Sequence, residues 1–130
     1  MVVLPADSPL LWWDGFAVGF ALTCVIELAV YVAAFAALGL LRPAGRLRRR
    51  DALGLALAVN LISHPLLWLV AHRLVGPGPL LLAELGVVVV EGMLIAIVTR
   101  RPAVSILVAL VANGVSTAVG LIVMPLLIGR

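Results

Sequence analysis

The charged residues of this chain are confined to a few positions, and they leave four long apolar stretches between them. These run from Asp14 to Arg42, from Asp51 to Arg73, from Arg73 to Arg100 and from Arg101 to Arg130. Each is long enough for the ~20 residues with which a helix, rising ~1.5 Å per residue, crosses a ~30 Å hydrocarbon core. Composition agrees: 65% of the 130 residues are hydrophobic and 12% charged, whereas a soluble domain carries about 45–50% and about 25%. An ordinary soluble globule, a disordered chain and a disulfide scaffold are thereby excluded. The single cysteine, Cys24, falls within the first stretch and permits neither an internal disulfide nor a cysteine-based metal cluster.

The expected fold is all-α: one integral membrane domain over residues 1–130, with four transmembrane helices at about 16–41, 53–71, 79–99 and 103–127. A barrel strand alternates apolar and polar positions, and these runs are continuous in Leu, Val and Ala. The first span is expected to be retained, because no basic segment precedes it as in a signal peptide. Trp12 and Trp13 stand ahead of it and suit the interfacial aromatic belt. Leu41-Arg42-Pro43 ends the first helix, Gly76-Pro77-Gly78-Pro79 forms a tight outer turn, and Pro102 restarts the last helix. Short connections make consecutive helices antiparallel neighbours in a bundle.

Arginines set the expected orientation. Arg42, Arg46, Arg48, Arg49, Arg50, Arg100 and Arg101 share one side, against Arg73 and Arg130 on the other. The positive-inside rule puts the loop at 42–51 in the cytoplasm of a bacterial inner membrane, with both termini outside. That loop has no interleaved aromatics to stack bases, so it reads as a topology signal and not as a nucleic-acid patch.

Polar residues inside the spans carry the functional signal. A charged side chain at mid-bilayer costs about 2.5–3.5 kcal/mol on insertion scales, so such groups turn inward and pair. Asn113, Ser116, Thr117 and Gly120 share one face of the fourth helix; Asn60, Ser63 and His64 share a face of the second; Glu84 and Glu91 share a face of the third. Gly19, Thr23 and Glu27 descend the first at steps of four. Counting from the span ends, Glu27, His64, Glu91 and Asn113 fall near the midplane. They form the expected central layer and candidate ligand- or ion-binding site, with Asn60, Ser63 and Ser116 beside them. Glu84 is expected to make a separate outer-face pair with Arg73 or His72. Pro65 removes one backbone bond, frees the carbonyl of Leu61 and is expected to kink the second helix.

Val25-Ile26-Glu27 with Asn60-x-x-Ser63 parallels Val89-Val90-Glu91 with Asn113-x-x-Ser116. This pattern suggests two repeated helical hairpins related by an axis along the membrane normal. The four-span length and the mid-span Glu27 resemble the small multidrug-resistance exporters in architecture, a likeness of size and of one residue.

Three functions are compatible with these residues. The leading one is cation- or proton-linked transport of a small solute or ion, with a bound cation as the candidate cofactor. A second is an accessory or assembly subunit of a larger membrane complex. Association, as a homo-oligomer or within such a complex, is favoured by the small-residue pair Gly15-x-x-x-Gly19. The third is a membrane-embedded metal-dependent enzyme using Glu27, Glu91 and His64 as ligands. Neither a His-Glu-x-x-His nor a Glu-x-x-His spacing is present, nor a nucleophile motif, so catalysis is the least favoured. Against all three stands interhelical hydrogen bonding alone, with neutral carboxyls joined to Asn and Ser.

Overall fold

The computed structural model describes residues 9–41, 47–71, 73 and 77–128. Four helices account for nearly all of them: α1 (Pro9–Ala37), α2 (Arg49–Ala71), α3 (Pro77–Thr99) and α4 (Pro102–Ile128), with no strand among the described residues. All four are long and apolar enough to cross a membrane. They form a ring in which α1 packs on α2 and α4, and α3 packs on α2 and α4, while the backbones of the diagonal pairs stay apart. A ring whose diagonal backbones stay apart leaves a central axis that side chains from all four helices can reach.

The bundle is apolar outside and polar within. Leu82, Ile97 and Leu121 are 70%, 75% and 74% exposed, whereas Glu27, Asn60 and Glu91 are fully buried. In water that arrangement would expose far more contiguous apolar surface than soluble monomers tolerate. In hydrocarbon the cost reverses, because apolar side chains face lipid and polar ones satisfy each other. The chain is an integral membrane protein on this ground.

Helix ends differ from the sequence expectation in instructive ways. The first helix does not reach Leu41: it stops at Ala37, because Gly39 adopts a left-handed φ of 71°. Leu40 N–H then donates to Phe35 at 2.9 Å and Gly39 N–H to Ala36 at 3.0 Å. This is the Schellman arrangement, and Phe35 and Leu40 accompany it in the buried core. At its other end α1 starts at Pro9, so Trp12 and Trp13 lie in its first turns and not ahead of it. Similarly, Pro77, Gly78 and Pro79 are not a turn but the opening residues of α3, since a proline at the first helical position lacks only an N–H that would be unpaired anyway. The second helix starts earlier than expected, at Arg49, and runs through Pro65 without a break. Arg42, Pro43, Arg46, Gly76 and Arg130 lie outside the described residues.

Packing is closest between α3 and α4. A Cβ added to Gly92 would lie 2.8 Å from the Cα of Ile106, so the two backbones approach there to a distance only glycine allows. Beyond it, Arg100 takes a left-handed φ of 57° and turns the chain into α4. Thr99 Oγ1 accepts the Arg101 N–H at 3.3 Å and lies 2.8 Å from Ser105 Oγ, so two buried hydroxyls satisfy each other at this corner.

The two halves of the bundle are filled differently. Toward the arginine-bearing connections, Tyr31, Phe35, Leu40, Leu47, Ala52, Ala56, Val59, Ile95, Val108 and Ala112 form one continuous core. Toward the opposite end an open cavity of about 550 Å³ penetrates the bundle. The polar layer lies where the two meet.

Candidate functional site

Every helix contributes to that layer. From α1, Glu27 is fully buried, and one turn later Tyr31 points its hydroxyl across the axis. From α3 comes Glu91, also fully buried. Its Oε2 accepts the Tyr31 hydroxyl at 2.6 Å and the Asn113 amide at 2.5 Å, while Oε1 lies 2.5 Å from Ser63 Oγ. Glu91 thus has partners from α1, α2 and α4 at once. Glu27 is held much more loosely: Ser116 Oγ lies 2.7 Å from its Oε1, and its Oε2 has no hydrogen-bond partner.

His64 completes the layer. Its Nε2 is 3.3 Å from Glu27 Oε1 and 3.8 Å from Glu91 Oε1, yet it makes a directed hydrogen bond to neither. Phe20 stands beside the imidazole at 6.5 Å between ring centroids, and Phe16 edges onto Trp68 at 5.2 Å. These aromatics line up along α1 and α2 on the cavity side of the layer. Glu27, His64 and Glu91 offer ligand atoms that all lie within 4.8 Å of one another, a spacing compatible with one metal ion.

Each serine of the layer stands between a carboxyl and a backbone carbonyl. Ser63 has one hydroxyl proton, yet its oxygen is within bonding distance of both Glu91 Oε1 at 2.5 Å and the Val59 carbonyl at 3.0 Å. Ser116 is placed the same way between Glu27 Oε1 at 2.7 Å and the Asn113 carbonyl at 3.0 Å. A hydroxyl supplies only one donor. In each case the serine is the donor, and it divides its proton between the carboxyl and a carbonyl of its own helix.

Of the residues singled out in the sequence, the structure brings Glu27, Ser63, His64, Glu91, Asn113 and Ser116 together. Asn60 is buried one turn from Ser63, but its amide donates to the Ala56 carbonyl at 3.0 Å and its Oδ1 is unpartnered. Glu84 lies on the cavity wall, and no ion pair joins it to the exposed Arg73 among the described residues. His72 lies outside the described residues. Tyr31 escaped the sequence reading as a site residue; its i+4 spacing from Glu27 was the available signal. Gly19, counted in the sequence as half of a helix-packing pair, lines the cavity with Thr23, Thr117 and Gly120.

The floor of the cavity is formed by His64, Asn113 and Ser116, which stand against the two fully buried carboxyls from one end of the bundle. From the other end it is covered by Tyr31, Phe35, Ile95 and the rest of the apolar core. No family model matches the sequence, and no curated protein or solved structure is significantly similar to it.

Proposed function

We propose that this protein is a small membrane transporter in which protons or a cation occupy the Glu27–His64–Glu91 layer and link its occupancy to movement of the bundle. The observation that carries this reading is one-sidedness. A cavity large enough for a small solute ends on His64 beside the two buried carboxyls, and beyond them the path is filled by Tyr31, Phe35 and Ile95. A layer serving only as interhelical glue has no need of such access. A transport site, in contrast, must face one compartment at a time.

The crossed serine contacts support the repeat as the basis of that movement. Glu27 of the first hairpin meets Ser116 of the second, and Glu91 of the second meets Ser63 of the first. Asn60 and Asn113 both donate to a carbonyl one turn back, Ala56 and Ala109, at 3.0 Å. Two like hairpins could exchange roles so that the layer opens to the other side. The positive-inside rule would then place the cavity of this state on the outer face of an inner membrane.

The test is reconstitution into liposomes enclosing a pH-sensitive dye, with imposed gradients of protons, sodium, potassium and divalent metals. A flux in the wild type that disappears in Glu27→Gln is expected. No flux under any of these gradients from correctly folded protein would overturn the reading.

A further inference from the structure

We infer that the Glu27–His64–Glu91 layer binds one divalent first-row transition-metal ion. The inference rests on the site described above and specifies the cation; it stands or falls separately from transport, because binding is read at equilibrium.

Two buried atoms point to a missing partner. Glu27 Oε2 and His64 Nε2 are enclosed, capable of ligation and without a hydrogen bond. Buried polar groups are nearly always paired, and leaving one unpaired costs about 1–3 kcal/mol. His64 Nε2 lies in the layer itself, 3.3 Å from one carboxyl and 3.8 Å from the other. Two ligands held on one tetrahedral ion by bonds of about 2.0–2.1 Å are themselves about 3.3 Å apart. The imidazole and Glu27 therefore already stand at the separation that a shared ion imposes.

The donor set selects the class of ion. One imidazole with two carboxylates suits zinc, manganese, iron or cobalt in the divalent state, and is poorly matched to calcium or magnesium, which prefer all-oxygen shells. No thiol is required. The outer contacts are those expected around a metal centre: Tyr31 and Asn113 fix Glu91 from behind, and Ser116 fixes Glu27. The open cavity above His64 supplies an entry path and room for a water or further ligand.

In the bound state the two carboxylate charges offset the two of the ion, so the buried layer carries no uncompensated charge. That balance matters where an uncompensated charge is costly. The ionisable groups facing the layer are Glu27 and Tyr31 on α1, His64 on α2 and Glu91 on α3, with Glu84 on the cavity wall and Cys24 nearby on α1; α4 contributes only the uncharged Asn113 and Ser116.

The experiment is calorimetric titration of the full chain in detergent with zinc near pH 6. One ion per chain is expected. Glu27→Gln and His64→Gln should each weaken binding by more than roughly 100-fold, and Ser116→Ala, which acts through Glu27, by about 10–100-fold. Cys24→Ser should leave it unchanged. Should a ligand variant fail to fold, cobalt-loaded wild type decides the matter: X-ray absorption should show one imidazole, the rest oxygen, and no sulfur. Absence of binding, undiminished binding in both ligand variants, loss of binding in Cys24→Ser, or a sulfur ligand would each overturn the inference. Binding with this signature but no ion flux in liposomes would leave it standing and refute transport alone.

Discussion

Ser116 Oγ lies 2.7 Å from Glu27 Oε1, tying the last helix to the first across 89 residues of sequence. It is the only hydrogen bond between side chains that holds Glu27 among the described residues, whereas Glu91 has three. Ser116→Ala should therefore free Glu27 without disordering Glu91. The expected loss of stability is about 1–2 kcal/mol, in the upper range for polar contacts within membranes. Denaturant titration of the variant in micelles checks it, and a loss below ~0.5 kcal/mol would show that the contact is incidental.

Glu91→Gln tests the proton count directly. A glutamine can place its carbonyl where Oε2 accepts from Tyr31 and Asn113, and its amide where a protonated Oε1 meets Ser63. If Glu91 is neutral, the substitution should cost less than ~1 kcal/mol; Glu91→Ala, which strands three partners, should cost roughly 3 kcal/mol or more. Comparable losses in the two variants, again by denaturant titration, would mean that the carboxyl is ionised in the resting state.

Much of this arrangement was legible in the sequence, for a physical reason. In a bilayer an ionisable residue has almost nowhere to go but inward, so helical spacing and depth were enough to gather Glu27, His64, Glu91 and Asn113 into one layer. Partner choice was not legible. Asn60 and Asn113 occupy similar places, yet only Asn113 reaches a carboxyl, a difference set by how the helices are rotated and not by residue type. Glu84, expected to meet Arg73 or His72, lies on the cavity wall with no ion pair to Arg73 among the described residues, and His72 falls outside them. Helix ends failed for a different reason. Apolar residues continue through Leu40 and Leu41, so composition hides the stop that a single left-handed Gly39 imposes.

Gly92 marks a contact that no larger residue fits. A methyl group there would meet the backbone of Ile106 at 2.8 Å, and backbone cannot rotate aside as a side chain can. Gly92→Ala should push α4 away from α3 and cost about 1–3 kcal/mol, the usual range for overpacking. Gly114→Ala is the control, because nothing lies within 4 Å of its added carbon. The control should be neutral or mildly stabilising, since alanine is the better helix former. Equal melting temperatures for the two variants would contradict the close approach.

One-sided access predicts a labelling pattern. Thr117 lines the open cavity, whereas Ala112 is buried in the core on the far side of the carboxyl layer. In a Cys24→Ser background, cysteine at 117 should react with a small membrane-impermeant thiol reagent added to the cavity face, and cysteine at 112 should not. Reaction follows the thiolate, so both rates must be compared after denaturation to show that the thiols are equally competent. If the two hairpins exchange roles during transport, driving turnover should expose position 112 to reagent on the arginine-bearing face and slow labelling at 117. Labelling at both positions from the same face, without turnover, would mean that the apolar core does not close the path.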